Sequence, residues 1–567
     1  PKCWSPEHPD LYGMETWYET TDEDGKKISY LADKQKVGIR VAEFDADRGF
    51  FLNGVPMKIK GVCVHHDAGC LGAAVTKEVW HRRFAKLKEC GCNAIRCSHN
   101  PHMPELYELC DTMGFLVMDE AFDEWENAKN KWSTGHNVYP PKHQGYFEDF
   151  PEWHEKDLRA MVRRDRNHPS IILWSLGNEL QIREGWAGFE GTNDWGITTY
   201  NIFNQLVKRW DNTRLTTVAM FPARAGAITR HDKEFNDYLV PPELACATEV
   251  ASFNYQSDKY DAYLKYKPDL ILFQSEAETS NLLQPYYNMD RKRTVGMAYW
   301  GSAEYWGESN KWPKKGWNYS FFDHTMRPYP QAYLIKSAFM PEIPEVHIGV
   351  VDAAGAESVS WNDVIVGRMA LNECWNHTPG SRQSLFTFTN AHSVELLVNG
   401  QSMGVQENDT TQANLRNMIY WKDVPYGNGG SVVAIARDKS GKEVARHHIE
   451  TAGKAVALQI ETETPADWKA DGMDLQYINV TAIDKKGRPV WDYNEPLTLQ
   501  MEGAARLVAL DNGDHYTDEL FHGITSKRMY QGRMQIILRS DQEAGNVTVK
   551  ISSAGLKGTL RLKTIKE

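Results

Sequence analysis

Between about residue 58 and residue 340 the chain alternates short apolar runs with segments of helical periodicity, and few architectures accommodate that pattern. The runs occupy 57–64, 94–96, 115–118, 171–175, 215–219, 250–253, 270–273 and 295–299. Helix signals fill the gaps. Thr76 is placed as an N-cap before Trp80, Phe84 and Leu87 on one helical face, with Gly91 as the stop. Pro104 opens another helix whose inward face carries Leu106, Leu109, Cys110 and Met113, closed by Gly114. Eight such runs over roughly 280 residues predict a closed (β/α)₈ TIM barrel of parallel strands.

Beyond Pro344 the pattern becomes short alternating runs ended by turn residues such as Asn399-Gly400, Asp438 to Gly441 and Asp484 to Gly487. The expected organisation is therefore multidomain. A β-rich remnant at 1–45, too short to fold alone, precedes the barrel at 46–343, and two β-sandwich domains follow at 344–452 and 453–567. The opening Pro1, with neither an initiator Met nor a signal-peptide pattern, implies an upstream segment that has been removed.

Composition narrows the partners. A net charge of −12 disfavours nucleic acid, which needs clustered cations against phosphates. No apolar stretch approaches the ~18 residues of a membrane span. The nine cysteines form no C-x-x-C pair, so neither a zinc ribbon nor a redox motif is signalled; Cys90, Cys92 and Cys97 are expected as small buried hydrophobes. The 19 Trp and 25 Tyr suit cores and equally the apolar faces of sugars.

The run "SIILWSLGNEL" (170–180) ends in an amide and a carboxylate, Asn178 and Glu179, which a buried strand would not deliver without a partner or a purpose. In a (β/α)₈ barrel the reacting groups sit where strands end, at the C-terminal face. The other expected strand ends also carry polar or aromatic groups. These are His65, His66 and Asp67 after the first, Arg96 with Ser98, His99 and Asn100 after the second, and Asp119 and Glu120 after the third. Asn254 and Tyr255 follow the sixth, Ser275 and Glu276 the seventh, and Trp300 closes the eighth. A single such residue is often structural, but a complete ring around an apolar wall describes a ligand site.

Within the ring Glu179 and Glu276 each end a long apolar strand. Retaining glycosidases need two such carboxyl groups, an acid with a raised pKa and a nucleophile kept ionised by hydrogen bonds, about 5–5.5 Å apart. Tyr255 is the expected donor to the nucleophile. Spacing alone leaves open a pairing that uses Asp119 or Glu120 instead.

The motifs "GVCVHHD" (61–67), "NAIRCSHNP" (93–101), "GFLVMDEAFD" (114–123), "RDRNHPSIILWSLGNE" (164–179) and "QSEAETS" (274–280) together resemble glycoside hydrolase family 2, most closely its bacterial β-galactosidases. The segment at 6–19 is similar to the end of that family's immunoglobulin-like domain, and 467–490 to an accessory C-terminal domain of the same kind. The resemblance implies that Glu179 is the acid/base, Glu276 the nucleophile and Asn178 the partner of the sugar 2-hydroxyl. It further implies sugar contacts for His66, Asp67, His99, Asn100, Tyr255 and Trp300, and supporting roles for Arg96, Asp119, Glu120 and Asn254.

Where some members carry a Glu-x-His magnesium motif, this chain reads "DEWEN", with Glu124 and Glu126. No cofactor is therefore expected, and bound Mg or Na is unsupported. The His found three residues after the nucleophile in some members is Thr279 here. The implied activity is that of a retaining exo-acting β-galactosidase on an oligosaccharide or glycan. β-Glucuronidase is the first alternative, although the family's Asn-x-Lys pair is absent from "GWNYSFF" (316–322). Lys311, Lys314 and Lys315 nearby suit an acidic or sulfated sugar, while a charge run is more often a solvated face. β-Mannosidase, and outside the enzymes a non-catalytic carbohydrate-binding protein, complete the alternatives. A homo-oligomer is compatible with the sequence. The number of β modules points to a periplasmic or extracellular setting, with the cytoplasm as the alternative.

Overall fold

The computed structural model describes residues 1–126, 145–180, 196–222, 240–279, 282–289, 292–309, 312–352, 357–361, 364–463 and 467–566. Eight parallel strands, β1 (Ile59–Val64), β2 (Ala94–Cys97), β3 (Leu116–Glu120), β4 (Ile171–Asn178), β5 (Leu215–Met220), β6 (Val250–Asn254), β7 (Leu272–Ala277) and β8 (Thr294–Tyr299), pair in sequence order. β8 returns to β1 through the register Gly296↔Ile59 to Tyr299↔Val62, which closes the barrel. Helices α1 (Lys77–Glu89), α2 (Pro104–Met113), α3 (Phe150–Asp165), α4 (Ile197–Trp210), α5 (Glu243–Ala247), α6 (Tyr260–Tyr266), α7 (Leu283–Asn288) and α8 (Pro330–Phe339) follow the strands. Among the described residues no helix is long and apolar enough to cross a membrane.

Strand parity sorts the core into two layers. Ile59 and Cys63 of β1, Ala94 of β2, and Leu116 and Met118 of β3 pack in the barrel interior. Val62, Val64, Ile95, Cys97 and Val117, one residue out of phase, pack outward with the helices. Both faces are buried, as parallel strands covered by helices require. Phe50 and Leu52 share the interior cluster with Ile59 and Leu116. The small sheet that carries them, Ala42–Asp45, Gly49–Leu52 and Val55–Pro56, runs across position 45, so the strands preceding the barrel continue into its base. Gly114 ends α2 with φ +74°, and a Cβ there would lie 2.3 Å from the Pro6 carbonyl oxygen, so both backbone angle and space demand glycine.

Beyond the barrel, Val346–Val351, Leu371–Asn372, Arg382–Thr389 and Met418–Pro425 form one antiparallel sheet, and Ser393–Val398, Gln401–Glu407, Ser431–Arg437 and Glu443–Glu450 form a second; the two enclose a shared core. Two further four-stranded sheets, between Ala457 and Lys563, enclose another. This last sandwich lies directly on the barrel. His522 reaches the Cys70 carbonyl at 2.6 Å, Arg82 pairs with Glu463 at 2.5 Å, and the Lys315 amide donates to the His515 carbonyl at 3.1 Å.

Candidate active site

The C-terminal mouth of the barrel is organised around one cation. Arg96 on β2 is fully buried. Its Nε donates to Glu120 Oε2 at 3.0 Å, and its Nη2 to both Glu120 oxygens at 3.0 and 2.8 Å. Nη1 donates to Glu276 Oε1 at 2.7 Å and Nη2 to Asn178 Oδ1 at 2.9 Å. One guanidinium thereby fixes side chains from β3, β4 and β7, which its planar fork permits and a lysine would not. Glu120 also accepts from His99 Nδ1 at 2.6 Å and Ser175 Oγ at 2.7 Å. Burial alone would raise its carboxyl, but Arg96, His99 and Ser175 outweigh that and hold it below the usual carboxylate range.

Glu179 and Glu276 face the same space. Burial raises the Glu276 carboxyl and the Glu179 charge raises it further, while Arg96 and His99 oppose the shift. The Tyr255 hydroxyl hydrogen-bonds Glu276. Asn254 Nδ2 donates to Glu179 Oε1 at 3.0 Å and to Asn178 Oδ1 at 3.1 Å, and its Oδ1 accepts from Ser275 Oγ at 2.7 Å. Glu179 and Tyr255 both adopt positive φ, 41° and 57°, a conformation that bulky residues rarely take and that concentrates at functional positions. Register shifts within the β4–β5, β6 and β7 pairings fall near these strand ends and re-aim the side chains toward the axis.

An aromatic wall faces the carboxylates. Trp300 lies nearly parallel to His99 at 5.2 Å and edge-on to His65 at 4.6 Å; His65 stacks on Tyr305 at 4.0 Å. Tyr305 donates to Glu308, whose carboxyl is pushed up to about 7 by burial and by the nearby Glu276 and Asp123, against the Tyr305 bond and His99. His65 was expected as one of the strand-end polar groups but not as a sugar contact, and Glu308 was not expected from the sequence at all. Glu308 follows Tyr305, Trp306 and Gly307, with Glu304 before them, so carboxylates flanking an aromatic pair were its available signal.

The structure places four expected residues elsewhere. His66 is one residue out of phase with the interior and packs on Trp80, its Nδ1 3.4 Å from that of His102; His65 takes the inward position. Asp119 is likewise out of phase with Glu120 and accepts from Tyr107 at 2.7 Å on the helix side. Asp67 clamps a loop, accepting from the Gly69 and Trp306 amides at 3.2 Å each. Asn100 is exposed. Lys314 is buried and donates to the Tyr319 hydroxyl at 3.2 Å, and Lys315 donates to the Pro313 and Thr517 carbonyls, so neither forms a solvated face. Lys311 lies outside the described residues.

A closed (β/α)₈ barrel with ionisable and aromatic groups converging on its C-terminal mouth defines an enzyme-like barrel protein. Residues 45–297 match the family described as "Glycosyl hydrolases family 2, TIM barrel domain", residues 458–560 "Glycoside hydrolase family 2 C-terminal domain 5", and residues 380–445 a domain of unknown function. The chain is 30% identical to the β-galactosidase BoGH2A of Bacteroides ovatus, an alignment covering 98% of this chain and 66% of that protein. It is 27% identical to a Formosa agariphila protein provisionally named a β-glucuronidase, over 100% of this chain and 54% of that one. A crystal structure of a glycosyl hydrolase family 2 member from Bacteroides cellulosilyticus superposes with a TM-score of 0.83 at 28% identity, covering 100% of this chain and 69% of that one. The chain belongs to glycoside hydrolase family 2, and it spans about two thirds or less of the length of these two curated relatives.

Proposed function

We propose that the chain is the catalytic part of a retaining exo-acting β-glycosidase, with a terminal β-galactoside as its substrate. The observation that carries the reading is the pairing of Glu179 with Glu276, the second held by Arg96 at 2.7 Å and by Tyr255. A Glu276 oxygen attacks the anomeric carbon while the glycosidic C–O bond breaks, and the Glu179 proton passes to the leaving oxygen. Water then attacks the glycosyl-enzyme, giving its proton back to Glu179 and releasing the Glu276 carboxylate and a sugar hemiacetal. Arg96 and Tyr255 orient the nucleophile and favour its ionised form, which offsets part of the opposing effect of burial and the neighbouring anion. Asn178, fixed by Arg96 and Asn254, is positioned for the sugar 2-hydroxyl, and Trp300 for its apolar face.

Galactose is favoured over glucuronate by Glu308. A carboxyl group bonded to Tyr305 and near His99 repels a uronate once ionised, whereas it accepts a hydrogen bond from a neutral sugar's hydroxyl. Similarity to the B. ovatus β-galactosidase points the same way. The glucuronidase reading retains one support, the buried Lys314 beside Tyr319.

The test is hydrolysis of nitrophenyl β-D-galactoside, glucuronide, mannoside and glucoside, with NMR of the first-formed anomer. Galactoside turnover with retained configuration, abolished by Glu276→Gln, is expected. Glu179→Gln should impair natural leaving groups far more than nitrophenolate. Preference for the glucuronide, or an inverted product, would overturn the assignment.

A further inference from the structure

Away from the mouth, the loop after β8 meets the C-terminal sandwich at three buried side chains whose donor atoms converge. His324 Nδ1 and His515 Nδ1 lie 3.3 and 3.1 Å from the same oxygen, Oε2 of Glu304, and the three atoms all lie within 4.8 Å of one another. Glu304 and His324 belong to the barrel domain, and His515 to the sandwich beyond it. We propose that Glu304, His324 and His515 hold a divalent transition-metal ion of the zinc type, which pins the C-terminal sandwich to the barrel.

Four observations support this site. A tetrahedral ion bound at about 2.0–2.1 Å places neighbouring ligand atoms roughly 3.3–3.4 Å apart, close to the two separations seen. Those separations exceed the ~2.7–2.9 Å of a charge-assisted N–H···O bond, which a plain His–Glu ion pair would adopt. Each imidazole is held through its far nitrogen, as metal-binding histidines are: His324 Nε2 lies 2.9 Å from Asp511 Oδ1, and His515 Nε2 lies 2.9 Å from the Gly316 carbonyl and 3.0 Å from its amide nitrogen. The Tyr329 hydroxyl, 2.8 Å from Glu304 Oε1, turns the other oxygen toward the histidines.

Glu304 and His515 also line a cavity of about 110 Å³ with Tyr329, Tyr516 and Arg327, and a water occupies roughly 30 Å³, so a fourth ligand can come from solvent. Two imidazoles and one carboxylate suit zinc, cobalt, nickel or copper rather than magnesium or calcium. A second group, His347, Glu373 and His447, lacks these features. His447 Nδ1 accepts from the Ile348 amide at 3.1 Å, its Nε2 is 3.8 Å from Glu373, and its ring stacks on His347 at 4.0 Å. That second group serves as the control.

The rival occupant is a proton, held by His324 between Glu304 and Asp511. The deciding experiment dialyses the purified chain against chelator and then against Zn²⁺ or Co²⁺, with bound metal counted by mass spectrometry. The Co²⁺ form is examined for the intense visible bands of tetrahedral coordination. One ion per chain is expected, with a thermal midpoint that rises on zinc addition. His515→Ala and Glu304→Gln should weaken binding by about 100-fold or more, and Asp511→Asn by about 10–100-fold, while His447→Ala leaves it unchanged. Should a variant fail to fold, the wild-type count decides: substoichiometric zinc in the intact chain overturns the proposal. Binding lost in His447→Ala and kept in His515→Ala overturns it as well.

Discussion

Replacing Arg96 with methionine removes the fully buried guanidinium that joins Glu120 to Glu276. Deleting one partner of a buried ion pair costs about 3–5 kcal/mol. Arg96 serves two carboxylates, and its bonds to Asn178 Oδ1 and the Ser275 carbonyl, at 2.9 and 3.3 Å, contribute about 1 kcal/mol each. A loss of about 5 kcal/mol is a lower figure, because the stranded carboxylates escape part of the cost by taking up protons. At roughly 2 °C per kcal/mol, the low end suited to a domain this large, the midpoint falls by about 10 °C near neutral pH.

The sign of the pH dependence follows from the two carboxyl groups. Glu120 lies below the usual range in the wild type, so it stabilises the fold above the unfolded pKa of about 4.3 and loses that contribution as pH falls through its folded value. Without Arg96, burial raises both Glu120 and Glu276. Their ionisation then opposes folding as pH rises above about 4.3, and the penalty vanishes below it. Calorimetry of wild type and Arg96→Met from about pH 4 to pH 8 should show midpoints that converge at the acid end and separate at neutral pH. A separation that is constant across that range, or a neutral-pH loss of under about 3 °C, would refute the account of Arg96 as the electrostatic centre of the site.

Glu276→Gln should abolish turnover without lowering thermal stability at neutral pH. The raised carboxyl makes the ionised form unfavourable in the fold, and glutamine still offers Arg96 an oxygen; a midpoint several degrees below wild type would contradict this. Glu308→Gln should remove an inflection near pH 7 from the kcat/KM profile on a galactoside, because that carboxyl is pushed up to about 7; an unchanged profile would place Glu308 outside the substrate pocket. His65→Ala should raise KM, whereas His66→Ala should affect stability alone, as their positions against Trp300 and Trp80 require; steady-state kinetics with a melting curve for each separates the two.

All eight barrel strands and the order of the mouth residues were legible in the sequence, because apolar runs and strand-end polar groups are local signals. Which of two consecutive residues faces the axis was not. β1 and β3 are apolar on both faces, so no alternation marks the interior side, and His65 and His66, or Asp119 and Glu120, are indistinguishable by hydrophobicity. Glu308, and the burial of Lys314, escaped for a different reason. Their surroundings are assembled by the long loop after β8, and for Lys315 in part by the C-terminal sandwich through the Thr517 carbonyl, so their burial depends on contacts distant in sequence.

The parity of a fully buried strand becomes readable once one residue's partner is known, and Arg96 supplies that reference. A cation inside a barrel must meet anions from neighbouring strands, so the side chains in phase with it on β2 and β3, Ala94, Leu116, Met118 and Glu120, must all point inward. Extending the same two-residue count along β1 selects Ile59, Cys63 and His65. The count fails at β4 and β7, where extra residues shift the pairing registers near the strand ends, and holds on β6, where Asn254 is in phase with the interior Val250. β4 and β7 deliver Glu179 and Glu276, so the irregularities that defeat a periodic reading lie beside the two glutamates on which the proposed chemistry rests.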